Sequence, residues 1–314
     1  MAKKNIECNI PPRIFLVYKP RGLHSGDVLK HFKYNLPRGY GKIGHLGTLD
    51  PFAEGLLLIA VAQAARLSFL FEDLLTKTYL ARGVFNLEST TGDSDGIITK
   101  SISSVSIKPD EFIKQSLSLV GTYYQSPPHF SAAKHEGKAL YKYAREGVLI
   151  DKPPVKRVIY GLSEFDFIEN DRCFFKAEVS SGTYIRTLFE DMAKLTKTVG
   201  HLDYLQRLKI GEITCENSLR NDKWPKRGEE FDLIENSICP SVFFNFDRLV
   251  ADDALLGRIE NGQRIAFSDV ELADKTEGNY LWVFSKEQKI RGLLQVNEGI
   301  LRPRVIFPKI IENI

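Results

Sequence analysis

Read by its apolar and polar positions, the chain opens with a buried strand. Ile14, Phe15, Leu16, Val17 and Tyr18 form an unbroken apolar run that stops at Lys19-Pro20-Arg21-Gly22, and a short run bounded by turn residues predicts a strand. The spacing of Val28, Leu29 and Phe32 predicts a helix over Ser25–Tyr34, with Ser25 or Asp27 as its cap. After Asp50-Pro51 an apolar stretch runs to about Phe71, and a proline at its first position predicts a helix that Asp50 would cap. Tyr79–Phe85 alternates as a strand does. Phe112, Ile113, Leu117 and Val120 fall on one face of a helix over Pro109–Val120, with the proline in its first turn. Leu140–Glu146 predicts a short basic helix, Phe174–Val179 a strand and Tyr184–Leu195 a helix. The alternation is irregular, so a mixed α+β domain is expected rather than a doubly wound parallel sheet.

The segment Asn217–Glu235 is polar and contains Trp224-Pro225, which suits a linker region. Beyond about Phe243 the pattern changes to short strands. Tyr280–Phe284 and Ile290–Val296 flank the turn Lys286-Glu287-Gln288, and Val305-Ile306-Phe307 would be the last strand. This tail reads as a small all-β module.

Composition changes the picture only once charge is mapped. The 314 residues are 43% hydrophobic and 26% charged, enough for one large core or a large domain with a small one. Lysine and arginine outnumber aspartate and glutamate by 43 to 40, a net charge of +3, which neither demands nor excludes a nucleic-acid partner. The distribution is uneven. Between Arg13 and His45 seven cations stand against one anion, Asp27, and between His129 and Tyr160 seven stand against Glu136, Glu146 and Asp151. Tyr18, Phe32, Tyr34 and Tyr40 accompany the first group, and Phe130, Tyr141 and Tyr143 the second. Cations interleaved with aromatics suit phosphate contact and base stacking, although a solvated basic face carries the same charge pattern. Cys8, Cys173, Cys215 and Cys239 lie far apart without a Cys-x-x-Cys pair, which argues against a disulfide framework and a structural zinc site. Met1–Glu7 has no apolar stretch behind its lysines, so it does not read as a signal peptide. The most apolar run, Gly55–Ala62, is far short of the roughly 20 residues a membrane span needs. A cytoplasmic location is expected.

The segment richest in chemistry is Gly44-His45-Leu46-Gly47-Thr48-Leu49-Asp50-Pro51-Phe52-Ala53-Glu54-Gly55. Its glycines permit positive φ and close approach of a ligand. By spacing alone two readings stay open: Asp50 caps a helix with His45 in a loop, or Asp50 is a functional carboxylate. The segment resembles the signature loop of the TruB family of tRNA pseudouridine synthases, in which this aspartate is the catalytic carboxylate. Other segments resemble the family in the same order. Lys19-Pro20-Arg21-Gly22 with Ser25 is similar to its first motif, and Lys77-Thr78-Tyr79 to its Lys-x-Tyr. Pro127-Pro128-His129-Phe130-Ser131-Ala132-Ala133-Lys134, followed by Gly137, Leu140-Tyr141, Ala144-Arg145 and Gly147, looks like the thumb that grips RNA. Ser181-Gly182-Thr183-Tyr184-Ile185-Arg186 resembles the third motif, and Leu205-Gln206-Arg207-Leu208 follows at a matching distance.

The resemblance implies an α+β fold: a largely antiparallel-sheet pseudouridine synthase catalytic domain over residues 1–235, a thumb at about 127–150, and a PUA-like β module over 243–314. It implies isomerisation of uridine to pseudouridine at position 55 in the T loop of tRNA, with no metal or cofactor. The reacting base must leave its stack, at a cost of a few kcal/mol. Asp50 would be the catalytic carboxylate and Arg186 its cationic partner. Tyr79 would stack on the extruded uracil, His45 would fill the gap the base leaves, and Tyr184 and Leu205 would line the uracil pocket. Asp93 would support the arginine, and Lys19 would position the catalytic loop or a phosphate. Lys134, Lys138, Lys142 and Arg145 would contact the T-arm backbone. A thumb marks members that act alone, so a monomer without an obligatory protein or guide-RNA partner is expected. The chain departs from the family pattern in two places. Ser89-Thr90-Thr91-Gly92-Asp93 stands where Thr-Asp-Thr-x-Asp is common, and Asn86 where glycine is usual. A non-catalytic tRNA-folding factor would share the basic, aromatic-rich segments. A glycosidase would need a second acid that the Asp50 motif does not supply.

Overall fold

The structure is a computed structural model that describes residues 10–103, 106–169, 171–270 and 278–307; the segment Met1–Glu7, Cys8 and the end of the C-terminal module lie outside the described residues. The chain begins with β1 (Arg13–Lys19), α1 (Ser25–Asn35), β2 (Ile43–Leu46), β3 (Glu54–Val61), α2 (Ser68–Asp73) and β4 (Lys77–Phe85). A small hairpin of β5 (Leu87–Ser89) and β6 (Ile98–Ser101) precedes α3 (Pro109–Leu117) and β7 (Gly121–Gln125). The segment expected to form a thumb is a second hairpin, β8 (Lys134–His135) and β9 (Lys138–Ala139), with α4 (Leu140–Arg145). Then come β10 (Val155–Ile168), β11 (Arg172–Val179), α5 (Ile185–Leu195), β12 (Gly200–Ile210) and β13 (Ile213–Thr214). The last group is β14 (Asp247–Ala251), α6 (Asp253–Glu260), β15 (Ile265–Ala266), β16 (Tyr280–Ser285), β17 (Ile290–Asn297) and β18 (Ile300–Ile306).

Nine strands form one sheet in the order β1-β3-β12-β4-β11-β10-β7, with β2 on β3 and β13 on β12. Its pairs are antiparallel except β12 with β3, which run parallel where Gln206 meets Glu54 and Arg207 meets Gly55. This short seam lies immediately after the Asp50 loop. Gly55 permits it: its φ is +105°, and a Cβ there would sit 2.4 Å from the Arg207 carbonyl oxygen, a separation no side chain tolerates.

The apolar stretch after Asp50 is therefore not the helix its pattern predicts. It is β3, buried from Gly55 to Val61, and helical turns begin only at Ala62. A central strand covered on both faces is apolar at every position, and periodicity alone cannot tell it from a buried helix. Asp50 caps nothing; it stands in the loop between β2 and β3.

Helix α5 lies across the sheet. Its Phe189 ring fills the space where Cβ atoms on Gly83 and Gly200 would sit, 1.9 and 2.6 Å from the ring. Ile185, Leu188, Phe189, Met192 and Ala193 are buried with it. The larger of these side chains contribute about 2 kcal/mol each on burial, which fixes the N-terminal turn where Arg186 stands.

The segment 217–235 is not a free linker but a strap along the edge of the sheet. Leu219 N donates to Leu16 O at 2.8 Å and Tyr18 N to Leu219 O at 3.0 Å, covering the open edge of β1. Its polar composition conceals four anchors, Leu219, Trp224, Phe231 and Leu233, which pack on the core. Beyond it a five-stranded sheet, β14-β16-β17-β18-β15, forms the C-terminal module. Helix α6 is added to the expected strands, capped by Asp252, which accepts from Leu255 N at 2.8 Å. Phe243, Phe244, Trp282, Phe284 and Phe307 share a core with Ile14, Leu46, Leu58 and Phe71, so an apolar interface joins the two sheets.

Candidate active site

Buried cations hold the loop that carries Asp50. Lys19, at the end of β1, is fully buried. Its Nζ donates to the carbonyls of Pro20 at 2.9 Å, Leu23 at 2.7 Å and Pro51 at 3.3 Å. Desolvation pulls its pKa down to about 8, with Asp50 the first opposing influence. Its ammonium is thus engaged with backbone carbonyls on both sides of the site. Ser25 Oγ donates to Leu49 O and accepts from Leu49 N, both at 2.9 Å. From the other side Arg207, 1% exposed, donates through Nε to Leu56 O at 2.7 Å and through Nη2 to Gly47 O at 2.9 Å. Lys77 Nζ donates to Ser181 Oγ at 2.6 Å, and burial, then Arg207, brings Lys77 down to about 7. The loop is thus bound to β1, β12 and the start of β3 before any substrate arrives.

Against this loop stands Arg186. Its Nε lies 2.9 Å from Asp50 Oδ2. The Nε–H has no aligned acceptor, so the contact is an ion pair rather than a linear hydrogen bond. Both terminal nitrogens of the guanidinium are engaged. Nη1 donates to Thr91 O and lies 3.4 Å from Asp93 Oδ2, while Nη2 donates to Phe130 O at 3.0 Å. Arg186 is 3% exposed, the Asp50 side chain 32% and the Asp93 side chain 7%. Asp50 is therefore the member of this trio with an open face. Asp93 is fixed by Thr91 Oγ1, donating to Oδ1 at 2.6 Å, and by Asp95 N at 3.1 Å. Burial raises its pKa above the ordinary carboxylate range, and Arg186 opposes the rise. Glu190, one turn beyond Arg186, is pushed up to about 7 by burial, against Lys194 and Arg186.

The two departures from the family pattern leave this arrangement standing. Arg186 uses the carbonyl of Thr91, which any residue supplies. Asn86 adopts φ +66°, a left-handed conformation that asparagine enters more readily than most residues.

The remaining candidates stand on neighbouring elements. Tyr79 on β4 is 7% exposed and sits in register between Ala177 on β11 and Arg207 on β12. Leu205 on β12 is 5% exposed and shares an apolar cluster with Tyr79, Leu49 and Phe52. His45, on β2, has a buried Nδ1 without a hydrogen-bond partner, and desolvation followed by Arg207 lowers its pKa. Tyr184 is half-buried directly before α5. The cations of the second hairpin are not part of the cluster. Lys138 pairs with Glu146 at 2.5 Å and lies 4.3 Å from the Tyr143 ring, Arg145 lies 5.5 Å from the Tyr141 ring, and Lys134 and Lys142 are exposed. Sequence reasoning assigned no role to Lys77 or Arg207. Their only signal was a cation at an inward position of a strand, inside segments already matched to the family.

Among the described residues no group of three or more histidine, cysteine, aspartate or glutamate side chains gathers to hold a metal ion, and no helix there is long and apolar enough to cross a membrane.

Comparison with known proteins defines the class first. A Cbf5–Nop10–Gar1 complex contains a chain similar to this one, with TM-score 0.68 and 20% identity, covering 95% of this chain and 84% of that one. The structure of an H/ACA RNP bound to a substrate RNA containing 2′-deoxyuridine is similar at TM-score 0.67 and 19% identity, covering 95% and 86%. These likenesses fix the fold. A family model described as TruB family pseudouridylate synthase (N terminal domain) matches residues 33–185. The tRNA pseudouridine synthase B of Aster yellows witches'-broom phytoplasma (strain AYWB) is 38% identical over 251 residues, 79% of this chain and 84% of that protein. That of Burkholderia pseudomallei (strain 668) is 32% identical over 297 residues, 92% and 95%. The chain belongs to the TruB family of pseudouridylate synthases and is an isomerase.

Proposed function

We propose that this chain converts uridine to pseudouridine at position 55 in the T loop of tRNA, with the base flipped out of its stack to meet Asp50. The observation that carries this reading is the 2.9 Å ion pair of Asp50 with Arg186, one partner half-open and the other buried. The relatives' name, tRNA pseudouridine synthase B, supports tRNA as the substrate.

In this reading the bond from uracil N1 to ribose C1′ breaks, the base turns, and C5 bonds to the same carbon. N1 gains a proton and C5 loses one. Asp50 presents its open face to the nucleoside. Arg186 stands behind it and offsets the cost of holding a carboxylate where bound RNA excludes water. Tyr79 stacks on the uracil, Tyr184 and Leu205 line its pocket, and Asp93 braces the arginine. His45, unpaired at Nδ1, occupies the gap in the RNA. Lys134, Lys138, Lys142 and Arg145 neutralise phosphates of the T arm. Residues 1–235 form the catalytic domain and 243–314 a PUA-like module. The hairpin of β8 and β9 with α4, a separate small unit beside the main sheet, supports action as a cytoplasmic monomer, without a guide RNA or protein partner.

Incubating the purified protein with an unmodified tRNA transcript and mapping pseudouridine chemically tests the reading. Product at the T-loop position is expected, and its absence from RNA that the protein binds would contradict the proposal.

A further inference from the structure

The start of α5, which carries Arg186, has no side-chain cap of its own. Its N-cap residue, Tyr184, is held instead from another strand. Gln125, the last residue of β7 and 2% exposed, reaches the Tyr184 peptide with both ends of its amide. Tyr184 N donates to Gln125 Oε1 at 2.8 Å, and Gln125 Nε2 donates to Tyr184 O at 2.9 Å. The side chain thus does what a neighbouring strand would do, with two antiparallel-type bonds to one residue. Two further ties run in parallel. Tyr123 OH donates to Asp191 Oδ2 at 2.5 Å further along α5, and Arg186 Nη2 donates to Phe130 O at 3.0 Å. Gln125 and Phe130 bracket Pro127-Pro128 and lead directly into the hairpin at Lys134. The chain entering the hairpin is therefore fastened to α5 on either side of those prolines, once at the N-cap and once at the guanidinium that meets Asp50.

We propose that Gln125 is a positioning residue for the reaction: its amide sets the Tyr184 peptide, and with it the register of Arg186 against Asp50, so that RNA seated on the hairpin and the catalytic ion pair are mechanically linked. This rests on the pseudouridine synthase reading above. Gln125 bonds Tyr184 and Tyr123 rather than Asp50, and acts through α5. The hydrogen bonds to the Tyr184 peptide demand one acceptor and one donor in a planar group. A displacement of about 1 Å in a catalytic group can cost up to about a hundredfold in rate.

Two substitutions test the link. Gln125→Met keeps the volume and removes both bonds to Tyr184, together with the longer donation from Nε2 to Tyr123 OH at 3.4 Å. The single-turnover rate on bound tRNA should fall at least about tenfold while affinity for tRNA stays within about twofold. Gln125→Glu is the conservative variant. As a neutral acid it offers the same acceptor and donor, but when ionised it loses the donor and sets a charge against the Tyr184 carbonyl. The charged or titratable groups nearest it are Tyr123 on its own strand, Arg157 on β10 opposite Tyr123, and Arg186, Glu190 and Asp191 on α5. Burial at this position should raise the new carboxyl well above the ordinary range, so its rate relative to wild type should recover as pH falls from about 8 to about 6, a rescue that a purely structural role would not produce. A Gln125→Met protein with wild-type rate, or a Gln125→Glu ratio independent of pH, overturns the proposal. A crystal structure of Gln125→Met needs no turnover: a guanidinium shifted away from Asp50 is expected, and an unchanged ion pair refutes the link. If wild type binds tRNA and makes no pseudouridine, the functional reading fails, and that crystal structure still decides the role of Gln125.

Discussion

Around Asp50 and along the hairpin at Lys134, cations serve opposite purposes. Lys19, Lys77, Arg186 and Arg207 are at most 7% exposed, and each donates to carbonyls or a hydroxyl of the loops that form the site. In the hairpin Lys134, Lys142 and Arg145 are exposed, and Lys138 and Arg145 meet rings and one carboxylate at the surface. A buried cation bonded to carbonyls fixes backbone and costs much to remove, because the groups it served are left unpaired. An exposed cation fixes little in the protein and remains available to phosphate, in a manner that salt screens. Charge counting along the sequence treats both groups alike. Burial separates them into a scaffold and a set open to solvent.

The largest effect expected from breaking this contrast is at Asp50 itself. Asp50→Asn should reduce turnover by at least about a thousandfold with tRNA affinity preserved, as read by single-turnover assay and by filter binding. Retained turnover would remove the catalytic role. Next comes the scaffold. Arg207→Met leaves the carbonyls of Gly47 and Leu56 without their charged donor, and should lower unfolding free energy by about 3 kcal/mol in urea. A loss under about 1 kcal/mol would show that the loop does not depend on it.

Lys77 gives a smaller, pH-dependent effect. Its folded value of about 7 lies below the ordinary 10.5, so between these values the unfolded chain holds a proton that the folded chain lacks. Stability should therefore rise with pH through this window, and Lys19, brought to about 8, acts in the same direction. Denaturation at pH about 7 and about 9 should differ by about 2 kcal/mol on account of Lys77, and Lys77→Met should flatten the slope. An unchanged slope contradicts the burial account. Smallest for folding are the hairpin substitutions. Lys134→Gln and Lys142→Gln should leave stability within about 0.5 kcal/mol, weaken tRNA binding and reduce the salt slope by about one for each phosphate no longer neutralised. A salt response equal to wild type would exclude them from the interface.

The sequence made the order of elements legible wherever a pattern was one-sided. The alternation from Tyr79 to Phe85 and the spacing of Val28, Leu29 and Phe32 both became the expected element. It misled after Asp50, where β3 is covered on both faces and apolar throughout, so the pattern lacks the alternation that marks a strand. It misled at 217–235, because one tryptophan and three other apolar anchors in a polar segment suffice to dock a strap. Asp50, Arg186 and Asp93 could be named because they stand in recognisable motifs, and they meet in space. Arg207 and Lys77 stand in such motifs too, and Gln125 just before one, but their work is to bond groups from distant elements. Which carbonyl a buried cation will meet depends on sheet order, and sheet order is not written locally.

The most direct measurement is a crystal structure of the protein with a T-arm RNA carrying 5-fluorouridine at the target position. The account predicts the base out of its stack and against Asp50, with Arg186 still paired to that carboxylate and the hairpin cations on the RNA backbone. A base bound away from Asp50, or an arginine that has left it, would contradict the account.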